Sequence, residues 1–76
     1  MKIQILGSGC TKCRMLAAVA EQAAGELGLR YELEKVTDVA RYPDLGVMFT
    51  PALVVDGIVR LSGRVPTLQE AKRLLA

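Results

Sequence analysis

The two cysteines of this chain stand three apart, in Gly9-Cys10-Thr11-Lys12-Cys13, at the point where one hydrophobic period gives way to another. Before them, Lys2 to Leu6 is a short apolar run that Gly7-Ser8-Gly9 ends sharply, as a strand ends. After them, from Thr11 to about Leu27, the residues Leu16, Val19, Ala20, Ala23 and Leu27 recur at spacings of three and four. Arg14, Glu21, Gln22 and Glu26 lie elsewhere on the wheel. The spacing predicts an amphipathic helix with Gly28 as its C′ residue. Two thiols one helical turn apart can close a disulfide, and a helix N-terminus stabilises a thiolate.

The remaining elements follow from the same kind of reading. Arg30 to Val36 alternates, Tyr31, Leu33 and Lys35 against Glu32, Glu34 and Val36, and predicts a second strand. Thr37 or Asp38 can cap a short helix over Val39 to Leu45. Pro43 falls inside that stretch, so a short or broken helix is expected. Leu53-Val54-Val55 and Ile58-Val59-Arg60-Leu61 flank Asp56-Gly57, the signature of a type I′ hairpin within Ala52 to Ser62. Pro66 then precedes Thr67-Leu68-Gln69-Glu70, a capping-box pattern, with Leu68, Ala71, Leu74 and Leu75 as the apolar face of a last helix. The order is βαβαββα. The first βαβ implies parallel strands with a right-handed crossover, and the hairpin adds an antiparallel pair. The expected fold is α/β, a mixed four-stranded sheet in the order 2-1-3-4 flanked by three helices.

With 76 residues the chain is expected to form a single domain, residues 1–76. It is 51% hydrophobic but only 4% aromatic, so the core must be aliphatic. The ten basic residues are scattered among eight acidic ones and the net charge is +2. Nucleic-acid binders concentrate basic charge on one face with stacking aromatics, so no nucleic acid is expected as a partner. No apolar run approaches a membrane span, and the N-terminal residues read as a first strand rather than a signal peptide, which makes a cytoplasmic location the default.

A disulfide between Cys10 and Cys13 would close a very short loop and constrain the unfolded chain far less than a long-range bridge. The pair is badly placed for stability and well placed for chemistry. Cys10, at or near the N-cap of the first helix, faces the backbone N–H groups of the first turn, including that of Cys13. Lys12 and Arg14 add positive charge and lower the thiolate pKa further. Cys10 is therefore the expected attacking nucleophile and Cys13, less exposed, the resolving thiol. The same pair also suits a soft metal such as Cu(I), or zinc shared between chains. Small metal-transfer domains with that motif run βαββαβ and end in a strand, whereas this chain ends in a capped helix. A third alternative is an interaction domain whose disulfide is incidental or regulatory. Pro51, at the start of the hairpin, reads by itself as a trans, strand-initiating proline.

Three segments together, GSGCTKC before the first helix, GVMFTPALVVDG, and SGRVPT before the last helix, resemble the thioredoxin superfamily over nearly the whole chain. More narrowly, they are similar to the small thioredoxin-like and glutaredoxin-like redox-active disulfide proteins of bacteria and archaea. The resemblance implies a thiol–disulfide oxidoreductase without cofactor or metal, monomeric, in the cytoplasm and away from membranes. It would act on a disulfide-containing protein substrate and draw electrons from a thioredoxin-reductase-like protein or a low-molecular-weight thiol. It also implies that Thr50-Pro51 is a cis-proline loop beside the dithiol, and that Gly9, Thr11, Thr50 and Pro51 hold the substrate backbone. The chain departs from typical thioredoxins in having Gly9 where they carry tryptophan and Thr11-Lys12 where they carry Gly-Pro. It also lacks an acidic residue in the strand leading to the dithiol.

Overall fold

A computed structural model describes residues 1–9 and 11–76. Its elements are β1 (Lys2–Leu6), α1 (Thr11–Glu26), β2 (Glu32–Val36), two 3-10 turns at Val39–Arg41 and Pro43–Leu45, β3 (Ala52–Val55), β4 (Ile58–Ser62) and α2 (Leu68–Leu75). The strands form one sheet in the order β2-β1-β3-β4, with β1–β2 parallel and β1–β3 and β3–β4 antiparallel. This is the topology expected from the sequence.

Alternation along β1 and β3 divides the core between the two faces of the sheet. Ile3, Ile5, Leu53 and Val55 point to the face covered by α1 and α2, and pack there with Leu16, Leu61 and Leu75. Leu6, Ala52 and Val54 point to the other face and pack with Val36, Tyr42 and Val47. Every residue of β3 is buried, because strands lie on both sides of it and helical segments cover both its faces. The contact surface of α1 is made mostly of alanine: Ala17, Ala20, Ala23 and Ala24 are buried around Leu16, which lets the helix axis approach the sheet closely. Val19 is half-buried at the margin of this face. Leu27, expected on it, lies past the helix end and is 38% exposed. The cause is a Schellman ending: Leu29 N–H bonds Ala24 O at 3.0 Å and Gly28 N–H bonds Gly25 O at 3.1 Å, with Gly28 at φ 68°.

The segment after β2 is broken, as expected, into two 3-10 turns. Asp38 Oδ1 caps the first by accepting from Ala40 N–H at 3.0 Å. Tyr42 N–H then bonds Val39 O at 3.1 Å, and Pro43, which lacks the N–H needed to continue, opens the second turn. The hairpin forms at Asp56-Gly57 with both residues at positive φ, 50° and 82°, as a type I′ turn requires. The sequence does not foretell the bulge beyond it. The register steps from Leu53↔Leu61 to Val54↔Val59, so Arg60 is the extra residue. β2 starts at Glu32, two residues later than expected. Its imperfect alternation has a structural reason. Glu34 lies in a polar network, accepting from buried Gln4 Nε2 at 2.8 Å and from Arg41 at 3.3 Å. Lys35, the register partner of Ile5, lies where the dithiol segment begins. Among the described residues no helix is long and apolar enough to cross a membrane.

Candidate active site

The site lies where the C-terminal end of β1 hands the chain to α1. Gly7 continues the sheet, its N–H bonded to Val36 O at 3.0 Å, and Ser8 and Gly9 bend the chain into the helix. Cys10, the expected nucleophile, lies outside the described residues, and so does the contact expected between its sulfur and the first helical turn. Cys13 is described: it sits in the first turn of α1, 6% exposed. Its side chain lies directly on Gly7. A methyl group built on Gly7 would overlap Cys13 Sγ and stand 2.9 Å from Cys13 Cβ. Gly7 is therefore a packing requirement of the dithiol. In the sequence it reads only as the residue that stops a strand, and no local signal separates a glycine needed for close approach from one needed for a bend.

Beside Cys13 is a pocket of about 40 Å³, lined by Ile5, Gly7, Gly9, Arg14, Lys35 and Thr37 together with the cysteine. That is little more than the space of one water molecule. Arg14, expected to act electrostatically on the dithiol, borders this pocket. Lys12 is exposed in the same helical turn but is not part of the lining. Lys35 and Thr37, which the sequence reading left out of the site, border it from the end of β2. The first turn of α1 contains no acidic residue. The positive charge beside the cysteine is thus not neutralised from its own helix.

Register brings the loop before β3 to the same place. Leu6 pairs with Ala52, so the next residues outward, Gly7 and Pro51, face each other across the sheet end. The Thr50–Pro51 peptide is cis, the isomer that the family resemblance implied. Pro51 is buried, and its carbonyl accepts from Gly63 N–H at 2.8 Å, which ties the loop to the end of β4. Thr50 is exposed and, among the described residues, has no hydrogen-bond partner. Thr11 is exposed as the first residue of α1, and Gly9 is exposed at φ 84°. The residues expected at the site, Cys10 aside, therefore gather at one end of the sheet. Met48 and Phe49, which precede Thr50, are 88% and 67% exposed and were not foreseen as part of it.

The parallel β1–β2 pair joined through α1, the antiparallel β1–β3–β4 set and the closing helix make this a thioredoxin-like fold, with Cys13 in the first turn of the first helix. The chain belongs to the thioredoxin family, whose members are thiol–disulfide oxidoreductases: a family model described as a thioredoxin domain matches residues 1–76. It is 41% identical over 76 residues to a thioredoxin of Methanothermobacter thermautotrophicus, covering 100% of this chain and 99% of the relative. It is 36% identical over 73 residues to a thioredoxin of Methanocaldococcus jannaschii, covering 96% and 84%. A probable thioredoxin of Methanothermobacter marburgensis is 33% identical over 67 residues, covering 83% and 79%. The metal alternative finds no support in these relatives. Among the described residues no three Cys, Asp or Glu side chains converge as a ligand set.

Proposed function

We propose that this chain exchanges electrons with protein disulfides through Cys10 and Cys13. The Cys10 thiolate attacks one sulfur of the substrate disulfide. The other substrate sulfur leaves as a thiolate and takes up a proton, and a Cys10–substrate mixed disulfide remains. Cys13 then loses its proton and attacks Cys10 Sγ, which breaks the mixed disulfide and releases the second substrate thiolate. Two electrons pass from the dithiol to the substrate, and the chain is left with a Cys10–Cys13 disulfide. A thioredoxin-reductase-like protein or a low-molecular-weight thiol then returns two electrons to it.

The observation that carries this reading is the seat of Cys13. A resolving thiol must be shielded from foreign disulfides yet lie one turn from the attacking one. Cys13 is buried against Gly7 at the start of the helix that Cys10 precedes. Lys12 and Arg14 bring positive charge to the same turn, which favours thiolate over thiol. The unpartnered backbone of Thr50, with Pro51 across from Gly7 and with Gly9 and Thr11 on the opposite rim, would hold the substrate as an added extended segment. The protein would act as a monomer in the cytoplasm, where a dithiol can be kept reduced.

The test is a pair of variants challenged with a protein disulfide such as insulin. Cys10→Ser should abolish reduction and form no covalent adduct. Cys13→Ser should also abolish turnover but accumulate a mixed disulfide through Cys10, seen as a mass increase that dithiothreitol removes. Turnover by Cys10→Ser would refute the assignment.

A further inference from the structure

Among the described residues, four basic side chains are in ion pairs with three carboxylates. Lys2 and Arg41 share Glu34, Arg64 holds Glu70, and Lys72 pairs with Glu26 across the two helices. Lys12, Arg14 and Lys35 are outside these pairs, as are Arg30, Arg60 and Arg73. The side chains of Lys12, Arg14 and Lys35 are exposed, and among the described residues none of the three makes an ion pair or a side-chain hydrogen bond. Arg14 and Lys35 both border the Cys13 pocket, and Lys12 is in the same first turn of α1 as Arg14. Among the described residues no carboxylate lines that pocket. Two cations at the Cys13 pocket, and a third in the same helical turn, are thus without an ion-pair partner among the described residues.

The segment between β2 and Thr50 has the opposite character. Met48, Phe49 and Val39 are 88%, 67% and 63% exposed, the three most exposed large apolar side chains among the described residues. Val39 and Met48 border a groove whose floor is formed by Tyr42, Gly46 and Val47, and whose outer rim carries Pro43. The acidic residues of this segment are Asp38, which caps Ala40 N–H, and Asp44, in the second 3-10 turn. Apolar side chains left this open beside a reactive site mark a contact surface.

We infer that the site selects among protein disulfides for an extended segment with Asp or Glu beside its cystine and a bulky apolar residue on the other side of it. This rests on the dithiol-exchange reading above. The acidic side chain faces Lys12, Arg14 and Lys35, the apolar residue lies on Met48 and Phe49, and the backbone between them runs along Thr50. Charge sets the orientation and the encounter rate, and the apolar contact retains the segment once it is aligned. Basic segments are rejected, because like charges would be brought together at the pocket mouth.

The test uses three synthetic cystine peptides, alike except that the residues beside the first cysteine are Glu, Gln or Lys. The protein is reduced with dithiothreitol, freed of it, and followed through one turnover. Each peptide disulfide takes two electrons from the dithiol and is released as two thiols. The second-order rate constant is expected to fall in the order Glu, Gln, Lys, spanning about tenfold or more at low ionic strength and less than about twofold in 0.5 M salt. Lys35→Glu should compress or invert the order, and Met48→Ser with Phe49→Ser should slow all three peptides while keeping it. The neutral 2-hydroxyethyl disulfide separates the two readings. If the wild-type protein reduces it but treats the three peptides alike, the selectivity is refuted and the dithiol chemistry stands. If it is not reduced at all, both fall. A concentration-dependent dimer at assay concentrations that hides Met48 and Phe49 from solvent would show that a second copy covers the apolar side, and would also overturn the inference.

Discussion

Replacing Gly7 by alanine tests whether the dithiol is held by packing. The added methyl overlaps Cys13 Sγ and lies 2.9 Å from Cys13 Cβ, where carbon atoms prefer about 3.5–4.0 Å. Neither backbone gives easily. Gly7 is held by its bond to Val36 O, and the turn bearing Cys13 is fixed by Leu16, Ala17 and Ala20 against the sheet. Overpacking of this kind costs about 1–3 kcal/mol. Gly7 is not at positive φ, so alanine also restricts the unfolded chain and returns about 0.4–1 kcal/mol. The net loss should be about 1–2 kcal/mol, read as a lower urea midpoint at unchanged slope, with Tm falling by about 4–8 °C per kcal/mol. The chemistry should respond unequally. A sulfur displaced by about 1 Å slows a reaction up to about a hundredfold. Resolution by Cys13 should therefore slow much more than attack by Cys10, and the mixed disulfide should accumulate in an alkylation-quenched time course. Gly25→Ala is the control. Gly25 is helical and exposed, and nothing lies within 4 Å of its added methyl, so this change should stabilise by about 0.5–1 kcal/mol. If Gly7→Ala proves as stable as Gly25→Ala, or resolves its mixed disulfide at the wild-type rate, the packing argument is wrong.

Two further changes probe the frame. Thr67 caps α2 by accepting from Glu70 N–H at 3.2 Å, and Thr67→Ala should cost about 1 kcal/mol in a urea titration while leaving single-turnover reduction untouched. The Arg64 guanidinium, forked onto Glu70, is the main reason that carboxyl sits below its ordinary range, with a smaller contribution from the Thr67 backbone N–H. Glu34, through Gln4 and then Arg41, and Glu26, through Lys72 and then Gln22, are lowered in the same direction. A depressed folded-state pKa stabilises above the unfolded value near 4.5 and is lost as pH falls through the folded one. Stability should therefore decline on acidification below about pH 4.5, and Glu70→Gln should flatten that decline. A decline equally steep in Glu70→Gln would show that this ion pair is without consequence.

Much of the architecture was legible because the local signals agree. A β-period run stopped by Gly7-Ser8-Gly9, a helix ended at Gly28, Asp56-Gly57 between β-branched runs and Thr67 before α2 each commit a few residues through their own backbone chemistry. The break at Pro43 was legible for the same reason, since a missing N–H is a property of the residue itself. Leu27 and the Arg60 bulge were not. How a helix end turns, or how two strands accommodate twist, depends on what they pack against.

The site divides along the same line. Cys10 and Cys13 stand three apart in the sequence, with Lys12 and Arg14 beside them, so the expectation of dithiol chemistry came from spacing alone. Gly7, Lys35, Thr37, Met48 and Phe49 acquire meaning only when β1 pairs with β2 on one side and β3 on the other. That pairing sets Lys35 and Arg14 at the border of one pocket, and the Met48–Pro51 loop across from Gly7. The sequence alone determined that a helix opens just after a strand, with Cys13 in its first turn, because backbone conformation over a few residues is a local property. The tertiary structure decided what seats Cys13 and which charges are left without partners. Steric exclusion and ion pairing act between residues that the chain keeps far apart until the sheet forms.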